Sequence, residues 1–349
     1  MNIFTIFMVV TIGLALVLQP RRGLQRKKIF CVLESIILVL IAALRSDYTA
    51  DMARYAINFE RVVGLGWSEV LKEPYHPGLY IFVKLISYIS SDKHFVFGVL
   101  GAVFVFAISK LIYDESKDAM MSYIILVPMG YFGFILTGIA QGLAMSLLVF
   151  SYFFLKKKKY VWYVVFVLLA TVCHTTAIIG FVLIVLKKMR LNKFSLMCMI
   201  LVYGIIYSCK TQIGMLLISM ANYREYEIDV SSGGIAELCI YLSILAVSII
   251  ILYKEIRLDE NIRHVFWICF IGAVFFTFVP IMTEFFRLAM YFNLFIILMI
   301  PEIITKIKRI NGKYAAVFQM AIYLCLFLMY FGFTNGSSSM KLYQFFWQV

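Results

Sequence analysis

Apolar runs of 15–20 residues recur along this chain from end to end, separated by short basic clusters. A helix needs about 20 apolar residues to cross a hydrocarbon core about 30 Å thick, and fewer where it ends in the interface. In lipid each backbone polar group must be satisfied within its own element, so runs of this kind have to be helices. The pattern predicts an all-α, polytopic integral membrane protein. Residues 1–349 read as a single domain, because no segment between the runs is long enough to fold alone.

The bulk chemistry narrows the class further. A net charge of +13 does not point to nucleic acid, because the basic clusters flank apolar runs and form no basic face. The seven cysteines are scattered without a CxxC pair, which suggests neither a disulfide framework nor a zinc site. Residues 1–18 are apolar and precede the charges at Arg21, Arg22, Arg26, Lys27 and Lys28, the reverse of a signal peptide, so the first helix is expected to stay.

The positive-inside rule sorts the loops. Placing the basic clusters at 21–28, 156–159, 187–193 and 306–313 inside, with the mixed loops 110–118 and 254–263, collects 22 of the 32 Lys and Arg there. The chain then has both ends outside and about twelve spans, near 2–18, 29–44, 95–113, 120–136, 141–155, 160–173, 175–187, 194–209, 236–253, 265–282, 287–302 and 314–333. Residues 75–91 resemble another span, but Lys84 sits at their centre and Pro77 and Gly78 break their start. They read as an amphipathic helix lying in the interface. Residues 45–94 thus form a long outer loop with interfacial helices, and residues 210–235 a second outer loop.

With this topology a set of polar residues gathers on the outer face, where charges at the membrane boundary are costly and usually functional. Asp47 and Asp51 are spaced i, i+4, and Arg54 follows Asp51 by three, so a helix would put them on one face beside Arg45 and Tyr55. Carboxylates near cations suit acid–base work, and equally form a surface ion pair that orders a loop. Glu73 and His76 mark a proline-flanked turn, His76 being either a titratable group or a turn residue bonded to backbone. Ala140 and Gln141 open a span with small residues around them, where helix N–H groups favour phosphate oxygens. His174 lies between two short apolar helices and is either a general base, a phosphate ligand or a helix-end residue. Arg224 and Glu225 lie in the second outer loop. Glu284, Arg287 and Tyr291 fall at i, i+3, i+7 on one helix stripe, and a guanidinium there suits bidentate phosphate recognition.

Arginines and a helix N-terminus suggest an anionic ligand; carboxylates and histidines beside them suggest proton transfer. Together they fit a lipid-linked pyrophosphate whose leaving group must be stabilised. On this reading Arg287, with Arg45 or Arg224, holds the pyrophosphate, and Asp47 or His174 takes a proton. Glu284 and Tyr291 orient Arg287, and Asp51, Arg54, Tyr55, His76, Ala140 and Gln141 contribute to substrate binding. No cofactor or metal is expected.

Roughly residues 30–305 resemble the EpsG family of Wzy-like bacterial polysaccharide polymerases. The resemblance rests on the block from Arg45 to Tyr55, on Glu73-Pro74, on Gln141-Gly-Leu-Ala followed by the Lys-rich loop, and on His174-Thr-Thr-Ala. It continues in Phe286-Arg287-Leu-x-x-Tyr291-Phe292, with Pro301 closing that span. It implies a glycosyltransferase of the bacterial cytoplasmic membrane, acting at its outer face. Such an enzyme joins oligosaccharide repeat units carried on undecaprenyl pyrophosphate, for an O-antigen, a capsule or an exopolysaccharide, and releases undecaprenyl pyrophosphate. The lipid bilayer, a chain-length regulator and a flippase are the partners it implies, and the long first outer loop looks GT-C-like. The family commonly carries Arg before the glutamine; here that residue is Ala140, so either this member lacks the cation or an Arg→Ala replacement removed it.

Two other classes fit the sequence less well. A transporter or flippase for a lipid-linked glycan needs charges through the midplane, where only Glu34, Lys84 and Glu237 are candidates, and no internal repeat is evident. A membrane O-acyltransferase needs an acyl-donor route from the cytoplasm and a deeply buried histidine, whereas His174 falls near the outer surface.

Overall fold

The computed structural model describes residues 2–47, 50–220, 234–335 and 343–348. Its elements are helices: α1 (Ile3–Leu18), α2 (Leu24–Ala43), α3 (Ala50–Gly64), α4 (Trp67–Val70), α5 (Pro77–Ser87), α6 (Lys93–Glu115), α7 (Ala119–Leu126), α8 (Tyr131–Thr137) and α9 (Ile139–Lys156). There follow α10 (Tyr160–Cys173), α11 (Val182–Lys188), α12 (Lys193–Ser208), α13 (Lys210–Met220), α14 (Ile235–Leu258) and α15 (Glu260–Phe276). The last three are α16 (Phe285–Asn293), α17 (Ile296–Ile310) and α18 (Gly312–Asn335). Among the described residues the one β-type pairing is an isolated antiparallel bridge between Arg45 and Phe345.

The helical class expected from the apolar runs is present, and the described residues show fewer candidate spans than the twelve expected. Five helices are long and apolar enough to cross a membrane, or up to eight if each bent pair is one span. The expected spans 120–136 and 287–302 are each broken, α7/α8 by 48° and α16/α17 by 45°. The first break contains Gly130 at φ 74°, a left-handed conformation that suits glycine and stops the helix. The expected span 175–187 is a 3-10 turn, Thr175–Phe181, followed by the seven-residue α11. Several helices carry apolar side chains all round: α12 buries none of its residues, and Ile200, Leu201, Val202 and Ile205 are all more than half exposed. An apolar exterior of this kind belongs against lipid.

The chain divides into two compact units, residues 1–180 with 311–349, and residues 181–310. In the first unit α2 and α6 approach closely because small residues face each other. A Cβ on Gly101 would stand 2.4 Å from that of Ala42, and one on Gly98 3.0 Å from that of Ala43. Ser35 of α2 donates to Ser109 of α6 at 2.7 Å and reinforces the contact, Tyr123 of α7 donates to the same Ser109 at 2.7 Å, and Thr11 of α1 donates to Glu34 of α2 at 2.9 Å. Helix α3 buries Met52, Ala56, Phe59 and Val62 on one stripe, and Phe59 meets Phe97 of α6 at 5.5 Å. Lys84 of α5 donates to the carbonyl of Val63 at 2.8 Å, fixing α5 beside α3.

In the second unit, α15 approaches the break between α16 and α17. A Cβ on Gly272 would fall 2.0 Å from Asn293 Oδ1, so only glycine fits there. His264 is buried against the carbonyl of Leu183 at 3.0 Å, and Lys306 donates to Glu255 at 2.6 Å.

Candidate active site

Within the first unit the start of α5 lies against the end of α10. His76 caps α5 with φ 53° and ψ 47°, and Pro77 at the first helical position has the fixed φ that a helix start needs. A Cβ on Gly78 would meet Cys173 Sγ at 2.8 Å and the Cys173 backbone nitrogen at 2.9 Å, so the missing side chain permits the contact. The consequence is that His76 and His174 stack, with ring centroids 5.1 Å apart and planes within 8° of parallel. His174 also shares a 2.7 Å hydrogen bond between Nδ1 and Thr176 Oγ1. Both rings are half-buried.

Arg45 follows α2 and is 4% exposed. No carboxylate pairs with it, and its Nε has no hydrogen-bond partner among the described residues. Its guanidinium lies over the Phe97 ring at 5.1 Å, a cation–π contact. Burial pulls its pKa down to about 9, which leaves it charged at neutral pH. Together with Leu100, Gly101 and Phe104 of α6, Ile135 of α8, and Ile139, Gly142 and Leu143 of α9, Arg45 lines a narrow cavity. Ala140 and Gln141 are buried in that same first turn of α9.

Asp47 is held by Lys93, whose Nζ donates to Oδ2 at 2.7 Å. This hydrogen bond keeps the Asp47 carboxyl below the usual carboxylate range, so it stays ionised and is a weak proton acceptor at neutral pH. Asp51 and Arg54 are both exposed, on the side of α3 away from its buried stripe, and no ion pair joins them among the described residues. Tyr55 is half-buried with its ring 6.0 Å from Phe59. Glu73 accepts two hydrogen bonds from Arg61, at 2.7 and 2.9 Å, an exposed fork that ties α3 to the α5 turn and lowers the Glu73 pKa.

In the second unit Arg287 Nε pairs with Glu284 Oε2 at 2.8 Å. The guanidinium is 44% exposed, whereas Tyr291, one stripe position on, is buried. Arg224 lies outside the described residues, as does Glu225.

A family model for the EpsG family matches residues 28–345, nearly the whole chain. The chain belongs to the EpsG family. That family is associated with polysaccharide polymerases, so this EpsG protein is a membrane protein of polysaccharide biosynthesis. Neither a curated relative nor a solved structure matches it.

The geometry separates the sequence candidates of this EpsG chain. His76 and His174 come together; Asp47 is engaged by Lys93; Asp51 and Arg54 remain solvated. Sequence reasoning passed over Lys93 and His94 at the start of α6, although His94 is one of only four histidines in the chain. It also passed over residues 343–348, whose signal was the aromatic cluster Phe345-Phe346-Trp347.

Proposed function

We propose that this EpsG protein joins oligosaccharide repeat units carried on undecaprenyl pyrophosphate, at the outer face of the bacterial cytoplasmic membrane. The acceptor sugar hydroxyl attacks the anomeric carbon of the donor. The bond from that carbon to the pyrophosphate oxygen breaks, and undecaprenyl pyrophosphate leaves with the electron pair. His174 takes the hydroxyl proton as the new glycosidic bond forms.

The observation that carries this reading is the stacked His76–His174 pair. The stack and the Thr176 hydrogen bond fix the His174 ring, and an imidazole is the side chain chemically suited to take a proton near neutral pH. Asp47, ionised and bonded to Lys93, is the weaker candidate for this role. Arg287, steadied by Glu284, is proposed to bind phosphate oxygens of a lipid-linked substrate, since its half-exposed guanidinium has the planar fork that matches phosphate.

The test is reconstitution. Purified protein in vesicles is given a lipid-linked repeat unit, with Ala or Arg at position 140. A ladder spaced by one repeat, with undecaprenyl pyrophosphate released, supports the reading. Transfer of the intact substrate across the bilayer with no ladder replaces it with a transporter.

A further inference from the structure

Residues 343–348 return to the start of the 45–94 segment and pair with it. The Ser46 N–H donates to the Gln344 carbonyl at 2.8 Å, and the Phe346 N–H to the Leu44 carbonyl at 3.0 Å, which brackets the bridge between Arg45 and Phe345. The Tyr343 hydroxyl donates to the Ile41 carbonyl at 2.8 Å, and the Tyr343 ring meets Phe4 edge-on at 5.7 Å. On the other side, Phe346 lies 4.7 Å from the His94 ring. A short strap is thus fastened by backbone and by rings at Arg45, whose charge is buried.

Among the described residues no carboxylate pairs with Arg45 and its Nε has no partner, and burying an unpaired cation is among the costlier arrangements in a protein. The cavity it lines is about 10 Å³, room for one water. Ile139, Gly142 and Leu143 on its wall belong to the opening turn of α9, whose first N–H groups have no intrahelical acceptor and whose dipole end is positive. The buried guanidinium therefore shares one cavity with the first residues of an eighteen-residue helix. Both favour an anion, and the cavity as it stands admits nothing larger than water.

We propose that Arg45 and the opening turn of α9 form a site for a phosphate oxyanion, and that residues 343–348 are its cover. The cover lifts to admit the anion and reseats when it leaves. This deepens the polymerase reading: that the anion is a lipid-linked pyrophosphate rests on it, while the site and its cover do not.

The experiment measures binding to full-length protein of two probes: inorganic pyrophosphate in detergent, and a polyprenyl pyrophosphate in nanodiscs. Tyr343→Phe removes one hydroxyl from the strap, and Phe346→Ala removes the ring against His94. Each is expected to tighten apparent binding by about 3–10-fold, because less of the binding energy goes into opening the cover. Arg45→Gln is expected to weaken binding by about 100-fold. Tightening for both probes assigns a general oxyanion site, and tightening for the polyprenyl probe alone assigns a lipid headgroup site. Binding that ignores Arg45→Gln, strap variants that leave affinity unchanged, or no binding by any form overturns the proposal. The two readings fail separately. Arg45-dependent binding without a polymer ladder removes the polymerase and keeps the site; a ladder with binding indifferent to Arg45 does the reverse.

Discussion

His76 and His174 lie face to face, 5.1 Å between ring centroids and 8° from parallel, because Gly78 lets the first turn of α5 rest on the backbone of Cys173. The stack depends on one missing side chain, and one substitution tests that dependence.

Gly78→Ala places a Cβ 2.8 Å from Cys173 Sγ and 2.9 Å from the backbone of Cys173 and Val172. Alanine is the better helix former by about 1 kcal/mol, but overpacking against backbone costs about 1–3 kcal/mol, so the clash decides the sign. The variant should melt lower and lose polymer formation, measured by thermal unfolding in detergent and by the product ladder. A variant with unchanged melting and full activity would show that the contact is not needed.

Arg45 offers a case in which stability and function part. Arg45→Met keeps the stem and removes a buried charge that no carboxylate pairs among the described residues, and with it the cost of keeping that charge out of water. The melting temperature should rise while polymer output falls to background. A lower melting temperature would mean that the guanidinium has a structural partner.

Asp47 and Lys93 make a pH prediction. Because Asp47 has a depressed pKa when folded, its contribution is present above the unfolded carboxylate value near 3.9 and is lost as pH falls through the lower folded value. Asp47→Asn should cost up to about 1 kcal/mol at pH 7, and the difference should close below about pH 4. The activity profile between pH 5 and 8 should keep its shape in Asp47→Asn. A shifted profile would restore Asp47 as the proton acceptor.

Much of the helical order was legible because apolar length is a local property. The expected spans 95–113, 160–173 and 236–253 fall within α6, α10 and α14, and the span 2–18 matches α1 to within one residue. The breaks in the expected spans 120–136 and 287–302 were less so. Gly130 gave a weak local sign, whereas the second break sits where Asn293 meets Gly272, a contact between helices that no local pattern encodes. The site divides the same way. The sequence marked His76, His174 and Arg45 as residues out of place among apolar neighbours. It could not show that the two imidazoles stack, that Lys93 occupies Asp47, or that the last aromatics return to Arg45, since each joins residues far apart in the chain.

Arg287 carries an i, i+3 pair with Glu284, and pairs of this exposure contribute little to stability, up to about 1 kcal/mol. Arg287→Lys should therefore leave protein level and melting nearly unchanged while cutting polymer at least tenfold, because an ammonium cannot replace a bidentate fork. Polymer of normal length and yield in Arg287→Lys would remove Arg287 from the site.

The most direct test of the central claim is the product ladder from reconstituted protein given a lipid-linked repeat unit, with His174→Gln run beside the unaltered chain. The account predicts a ladder spaced by one repeat with undecaprenyl pyrophosphate released, and no ladder from His174→Gln although it folds. A full ladder from His174→Gln, or none from the unaltered chain while substrate crosses the bilayer, would contradict it.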